Sequence, residues 1–171
     1  MNNKISKLIF ILVFSFFCQI IVFNQIKVFK NLTPYFYILY FILLKPGINR
    51  YLFMSIAFAI GFLMDLFMYT GGIHALACVF LAYIRLYLIK FIFGREEEEI
   101  EGLNIEESSI AQRFTYLVCI VFLHHFILFI VENFQTNNLA EVFLNILLNS
   151  ILTITVFLIY FGISSKRKLY P

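Results

Sequence analysis

Long apolar runs separated by short polar stretches make up most of this chain. A membrane-spanning helix needs about 20 predominantly apolar residues to cross roughly 30 Å of hydrocarbon. By that measure the pattern predicts six transmembrane helices, the second of them short, in a single polytopic domain over residues 1–171. The predicted helices cover residues 8–24, 33–44, 51–68, 72–93, 114–131 and 140–163.

The composition also indicates an integral membrane protein. Hydrophobic residues make up 62% of the chain and charged residues 13%, about half the charged fraction of a typical soluble domain. The net charge of +3 is spread between apolar runs, whereas nucleic-acid binding requires a concentrated basic face. We therefore expect an all-α integral membrane protein that forms a compact bundle in the lipid bilayer and does not bind nucleic acid.

The second segment is the ambiguous one. Thr33 is a suitable helix cap and Pro34 a suitable first helical residue, but Lys45-Pro46-Gly47 ends the run early. Three arrangements are open for this segment. It crosses the membrane with a tilt, it is extended back through Val28 with the Lys30 side chain reaching the surface, or it enters the membrane without crossing.

The distribution of basic residues favours six crossings with both termini in the cytoplasm. Cytoplasmic loops of membrane proteins are enriched in Lys and Arg, and six crossings leave only Lys27 and Lys30 outside. Five crossings would place Lys4 and Lys7 on the wrong side. The residues expected inside are Lys4, Lys7, Lys45, Arg50, Arg85, Lys90, Arg95, Arg113, Lys166, Arg167 and Lys168.

An acidic loop over residues 95–113 joins the fourth and fifth helices. It carries seven acids against two arginines, which favours a solvated cytoplasmic connector over a docking site. Ser109 and Gln112 have the spacing of a capping box and indicate the start of the fifth helix.

The most informative stretch is the predicted hairpin of the third and fourth helices, which turns at Gly71-Gly72. Asp65 is the only carboxylate deep in an apolar run, and such a group normally faces the bundle interior and has a partner. His74 is the partner we expect. Small residues, Gly61 and Ala75 among them, allow the two helices to approach closely.

Other polar residues lie on the fifth and sixth helices. Glu132 and Glu141 flank the predicted outer loop, and Glu141, Asn145, Asn149 and Thr153 recur every four residues. Such a polar seam is either interhelical hydrogen bonding or a ligand or ion path, and we favour hydrogen bonding because it is common between membrane helices.

Catalytic and metal-binding patterns are missing from the sequence. His124 and His125 are adjacent, so on a helix their side chains point about 100° apart rather than toward one ion. A single Asp65 cannot form an aspartyl dyad, which needs two carboxylates. We therefore expect a protein that is not an enzyme and has no metal site and no cofactor.

Four features of the sequence together indicate a family: Pro34, Gly61-Phe-Leu-Met-Asp65-Leu66, Gly72-Ile-His-Ala75 and Tyr83. In these features the chain resembles the family of the bacterial rod shape-determining protein MreD. The acid at Glu132 and the basic tail of residues 166–168 are also similar to that family.

The resemblance implies a non-enzymatic scaffold of the cell-elongation machinery in the bacterial cytoplasmic membrane. Its expected partners are an MreC-like bitopic protein and, through it, MreB, RodA and a class B penicillin-binding protein. The family's fold is thought to be similar to the substrate-binding component of energy-coupling-factor transporters. The alternative function is therefore capture of a small molecule such as a vitamin. In either case Gly61, Asp65, Gly71, Gly72, His74, Ala75, Glu132, Glu141, Asn145 and Asn149 are the candidate structural or partner-interface residues.

Overall fold

The computed structural model describes residues 2–25, 32–95, 97–103, 105–134 and 138–166, and six α-helices form the fold in this part of the chain. Helix α1 continues to Phe23 as a π-helical turn, and a 3-10 turn, Phe36–Ile38, leads into α2. The helices are α1 (Asn2–Cys18), α2 (Leu39–Leu43), α3 (Arg50–Met68), α4 (Ile73–Phe93), α5 (Ile110–Glu132) and α6 (Leu139–Lys166).

Four helices are long and apolar enough to cross a membrane. They are α3, α4, α5 and the Leu139–Gly162 part of α6, and their bounds lie close to those predicted from the sequence. A shorter apolar helix covers Ile9–Phe23. Helix α4 packs between α3 and α5, and α5 also packs against α6.

Helices α3 and α4 form the tight hairpin that their small residues predict. A Cβ atom placed on Gly61 would lie 2.6 Å from both the Ala75 Cα and the His74 carbonyl oxygen, so only glycine fits there. Gly71 and Gly72 have φ angles of 65° and 103°, in the region that favours glycine. The turn is therefore built from the residues that can form it, and Gly71 lies exposed at its tip.

Residues 32–44, which we call the central segment, form much of the core. The side chains from Tyr37 to Phe41 are at most 1% exposed. The segment packs against α1, α5 and α6, and rings of α3 and α4 contact its aromatic side chains. Its helical part, residues 36–43, rises only about 12 Å, so it does not cross the bundle as one helix.

The predicted helix start at Thr33 and Pro34 is wrong. Backbone over residues 32–35 is not helical, and the Thr33 N–H group donates a hydrogen bond to Asn149 Oδ1 at 3.0 Å. Tertiary contacts thus replace the local cap that the sequence suggests.

Two short 3-10 turns, Glu97–Gly102 and Ile105–Glu107, lie in the acidic loop. The predicted capping box is present: Ser109 and Gln112 exchange side-chain and backbone hydrogen bonds. Because this cap holds the first turn, α5 begins at Ile110, four residues before the apolar run at 114.

Candidate functional site

Asp65 caps the first turn of α4 from the neighbouring helix. Its carboxylate accepts hydrogen bonds from the backbone N–H groups of His74 at 3.0 Å and Ala75 at 2.8 Å, and from the Thr70 hydroxyl. The first N–H groups of a helix have no partner within it, and a cap residue normally supplies an acceptor. Gly72 precedes α4 and has no side chain to do so. Asp65 therefore replaces a local cap.

The predicted side-chain pair of Asp65 and His74 is wrong. Asp65 binds the backbone of His74, while the imidazole faces the central segment and its Nδ1 atom lies 2.9 Å from the Tyr37 hydroxyl. The same hydroxyl lies 2.6 Å from Nε2 of His124. Because Tyr37 has one hydroxyl proton, it donates to one imidazole and accepts from the other.

A second hydrogen-bonded chain links α5, α6 and the central segment. His125 Nδ1 lies 2.7 Å from the Val121 carbonyl oxygen and therefore carries a proton. Its Nε2 atom accepts from the Thr153 hydroxyl at 3.4 Å, and Thr153 Oγ1 accepts from the Tyr35 N–H group at 3.1 Å. The Tyr35 ring packs edge-on against the His125 ring.

The polar seam of α6 is divided between two environments. Asn149 and Thr153 accept backbone N–H groups of the central segment, and Asn149 also donates to the Asn145 carbonyl at 2.8 Å. Glu141, in the first turn of α6, is exposed and accepts a hydrogen bond from the side chain of Asn138, which precedes the helix. Polar contacts between segments thus account for the buried half of the seam.

Two buried residues that are not among the predicted site residues bind the two ends of the helical part of the central segment. Gln19 of α1's π-helical turn accepts the N–H groups of Phe36 and Tyr37, the latter at 3.3 Å. At the opposite end, Arg85 donates to the carbonyl oxygens of Phe41, at 3.1 Å, and Leu44. The only sequence signal for Gln19 is a polar residue inside a long apolar run.

Arg85, which the charge count assigns to the cytoplasmic side, is buried in the bundle. It is 3% exposed, and its guanidinium lies over the Phe53 ring and donates to the Tyr116 hydroxyl at 2.9 Å. A cation is favourable at the carbonyl end of a helix, which carries partial negative charge. Here that helix is the short one in the central segment.

The structure brings together only some of the predicted site residues. Gly61, Asp65, His74 and Ala75 meet at the α3–α4 contact, whereas Glu132 is exposed at the end of α5. Within the described residues, no three His, Cys, Asp or Glu side chains are arranged to hold a metal ion. The buried polar side chains instead bind backbone groups of the central segment and of α4, and so hold these elements against their neighbours.

Neither a protein-family model, a curated protein nor a solved structure matches this chain.

Proposed function

We propose that this chain is a multi-pass protein of the bacterial cytoplasmic membrane, with both termini inside, and a non-enzymatic scaffold of the cell-elongation machinery. It assembles with an MreC-like bitopic protein and, through it, with MreB, RodA and a class B penicillin-binding protein. The machinery is assigned from the resemblance to the MreD family.

The observation that carries the proposal is a buried aromatic core beneath apolar outer faces. The side chains of Tyr37 and Tyr40 in the central segment are fully buried and occupy the space between the surrounding helices. On one outer face of α3, Phe58, Phe62 and Leu66 recur every four residues and are about half exposed. Contiguous exposed apolar surface indicates contact with lipid or with other proteins. A scaffold that acts through its helix faces needs these features.

Capture of a vitamin, the alternative, requires several polar groups that converge on a pocket. The polar groups that the sequence suggests for such a pocket already have partners inside the protein. The Asp65 carboxylate accepts a hydrogen bond from the Ala75 N–H group, and the His74 ring contacts the Tyr37 hydroxyl. Glu132 and Glu141 are exposed at the ends of different helices. These contacts favour the scaffold.

Mild crosslinking in native membranes, followed by purification of the tagged protein and mass spectrometry, tests the proposal. We expect a single-pass coiled-coil protein and wall synthases to be enriched over a tagged unrelated multi-pass protein of equal abundance. Recovery of paired ATPases with a coupling membrane subunit would instead identify a vitamin-capture component, and recovery of neither set would contradict both functions.

A further inference from the structure

All three histidines of the sequence surround one tyrosine of the central segment. His74, His124 and His125 are each at most 1% exposed. Their ring centroids lie 5.8 Å, 6.0 Å and 5.1 Å from that of Tyr35. Histidine is the side chain whose ordinary pKa lies closest to physiological pH, and ionisable groups inside a membrane bundle normally have a function. A response to acid is therefore the first function to consider for this cluster.

The hydrogen bonds of Tyr37 determine where the protons of this cluster lie. Its hydroxyl lies 2.9 Å from Nδ1 of His74 and 2.6 Å from Nε2 of His124, and we call these three residues the histidine bridge. Within the described residues, the buried Nδ1 atom of His124 has no hydrogen-bond partner. A buried N–H group without an acceptor is rare, so we assign the hydrogen of His124 to Nε2. His124 then donates to Tyr37, and Tyr37 donates to His74.

The closed bridge has no suitable position for a further proton. On Nδ1 of His124 the proton would form a buried N–H group with no acceptor. On Nδ1 of His74 it would displace the Tyr37 O–H group, which then faces the Cys78 sulfur, a weak acceptor 3.8 Å away. Either position also buries a positive charge, which is costly without a paired anion.

The groups around the bridge do not pair with such a charge. Asp65 binds the backbone N–H group of His74 rather than its imidazole, and Glu132 is exposed. On α6 the facing residue is Thr153, which does not titrate. Among the described residues, no imidazole forms an ion pair with a carboxylate. The titratable groups near the bridge are Tyr35 and Tyr40 in the central segment, Asp65 in α3, Cys78 in α4, and His125 and Glu132 in α5.

We propose that the histidine bridge is an acid-sensitive switch that holds the central segment against α4 and α5 at neutral pH. When the segment opens, its histidines meet water, and each then takes up a proton below about pH 6.5. The closed bridge does not accommodate these protons, so the opened state binds more of them. The closed state is therefore fully stable above about pH 6.5 and loses stability as the pH falls below that value. The switch requires only these core contacts and does not depend on the partners of the proposed scaffold.

Hydrogen–deuterium exchange of the detergent-purified full chain at about pH 7.5 and about pH 5.5 tests the switch. After correction for the pH dependence of the chemical exchange rate, opening of residues 36–43 should rise at the lower pH by about tenfold for each histidine that becomes charged. The double variant His74→Asn and His124→Gln keeps amide groups near Tyr37 but does not titrate, so its rise should be smaller by at least about tenfold. Glu141→Gln, at an exposed position, is the control and should keep the full rise.

Unchanged opening between the two pH values, or an equal rise in the double variant, would overturn the switch. If the double variant fails to fold, nuclear magnetic resonance of the unaltered protein with isotope-labelled histidine replaces it. We then expect charged imidazoles to appear only together with loss of protection in residues 36–43. Charged imidazoles in a protein that keeps this protection would overturn the proposal. Partner recovery from native membranes is measured separately at neutral pH, so failure of the switch is distinguishable from failure of the scaffold.

Discussion

The Asp65 carboxylate of α3 accepts the backbone N–H group of Ala75 in α4 at 2.8 Å. Four residues before Asp65, Gly61 lets the α4 backbone approach so closely that no side chain fits between the helices. Asp65 and Gly61 thus belong to the same contact between α3 and α4. In this contact Asp65 accepts the N–H groups at the start of α4, which Gly72 has no side chain to accept. This contact fixes the hairpin on which α5 and the central segment pack.

Replacing Asp65 by Leu should destabilise the protein strongly. The change leaves the buried N–H groups of His74 and Ala75 without an acceptor, at about 1–3 kcal/mol each. We expect a clear fall in the thermal midpoint in mild detergent, and a smaller fall for Asp65→Asn, whose amide oxygen is still an acceptor. Glu141→Gln, at an exposed position, is the control. An unchanged midpoint for Asp65→Leu would refute the capping role.

Replacing Gly61 by Ala should force α3 and α4 apart. The new methyl group would meet backbone atoms of His74 and Ala75, which cannot rotate away. Overpacking of this kind costs about 1–3 kcal/mol. Gly162→Ala in α6 is the matched control, because a Cβ atom there meets nothing within 4 Å. Equal thermal midpoints for the two variants would contradict the close approach.

The Tyr37 hydroxyl should contribute to stability, whereas the Tyr40 hydroxyl should not. Tyr37 contacts both His74 and His124, while the buried hydroxyl of Tyr40 has no hydrogen-bond partner within the described residues. Tyr37→Phe should therefore lower the thermal midpoint by an amount equivalent to about 1–3 kcal/mol. Tyr40→Phe should be neutral or stabilising. A larger effect at Tyr40 would mean that the hydroxyl network is wrongly assigned.

Arg85 and Tyr116 should be energetically coupled. Arg85 donates to the Tyr116 hydroxyl, and each donates to the Phe41 carbonyl oxygen. In a double-mutant cycle of Arg85→Met and Tyr116→Phe, we expect a coupling energy of about 0.5–3 kcal/mol. Glu141→Gln, at an exposed site on α6, should add independently to Tyr116→Phe. Strict additivity of Arg85→Met and Tyr116→Phe would contradict a shared contact.

Hydrophobic pattern and local capping sufficed to predict the long helices. Helix α3 was expected over 51–68 and begins at Arg50, and the Ser109–Gln112 capping box is present. These features depend on residues that are near one another in the sequence, where periodicity and spacing carry the information. The close contact between α3 and α4 was also predictable from Gly61, because only very small residues let two helix backbones approach so closely.

The central segment could not be predicted in the same way. Its backbone groups bind Gln19, Arg85, Asn149 and Thr153, which come from three other helices. Thr33 and Pro34 are residues that often begin a helix. In the structure the Thr33 N–H group instead donates to Asn149, because an N–H group inside the protein needs an acceptor. The burial of Arg85 could not be predicted for a related reason, since charge alone does not reveal a partner formed by distant carbonyl groups.

Residues 32–44, too short to cross as one helix, form the stably held core of the bundle. Hydrogen–deuterium exchange of the detergent-solubilised protein tests it most directly. We predict that peptides from residues 36–43 exchange as slowly as those from the middle of α4. We also predict that Gln19→Leu accelerates exchange at Phe36 and Tyr37, because it removes the side-chain acceptor of their N–H groups. Exchange as fast as in the acidic loop would show that the segment is not held in the core, and would contradict the account.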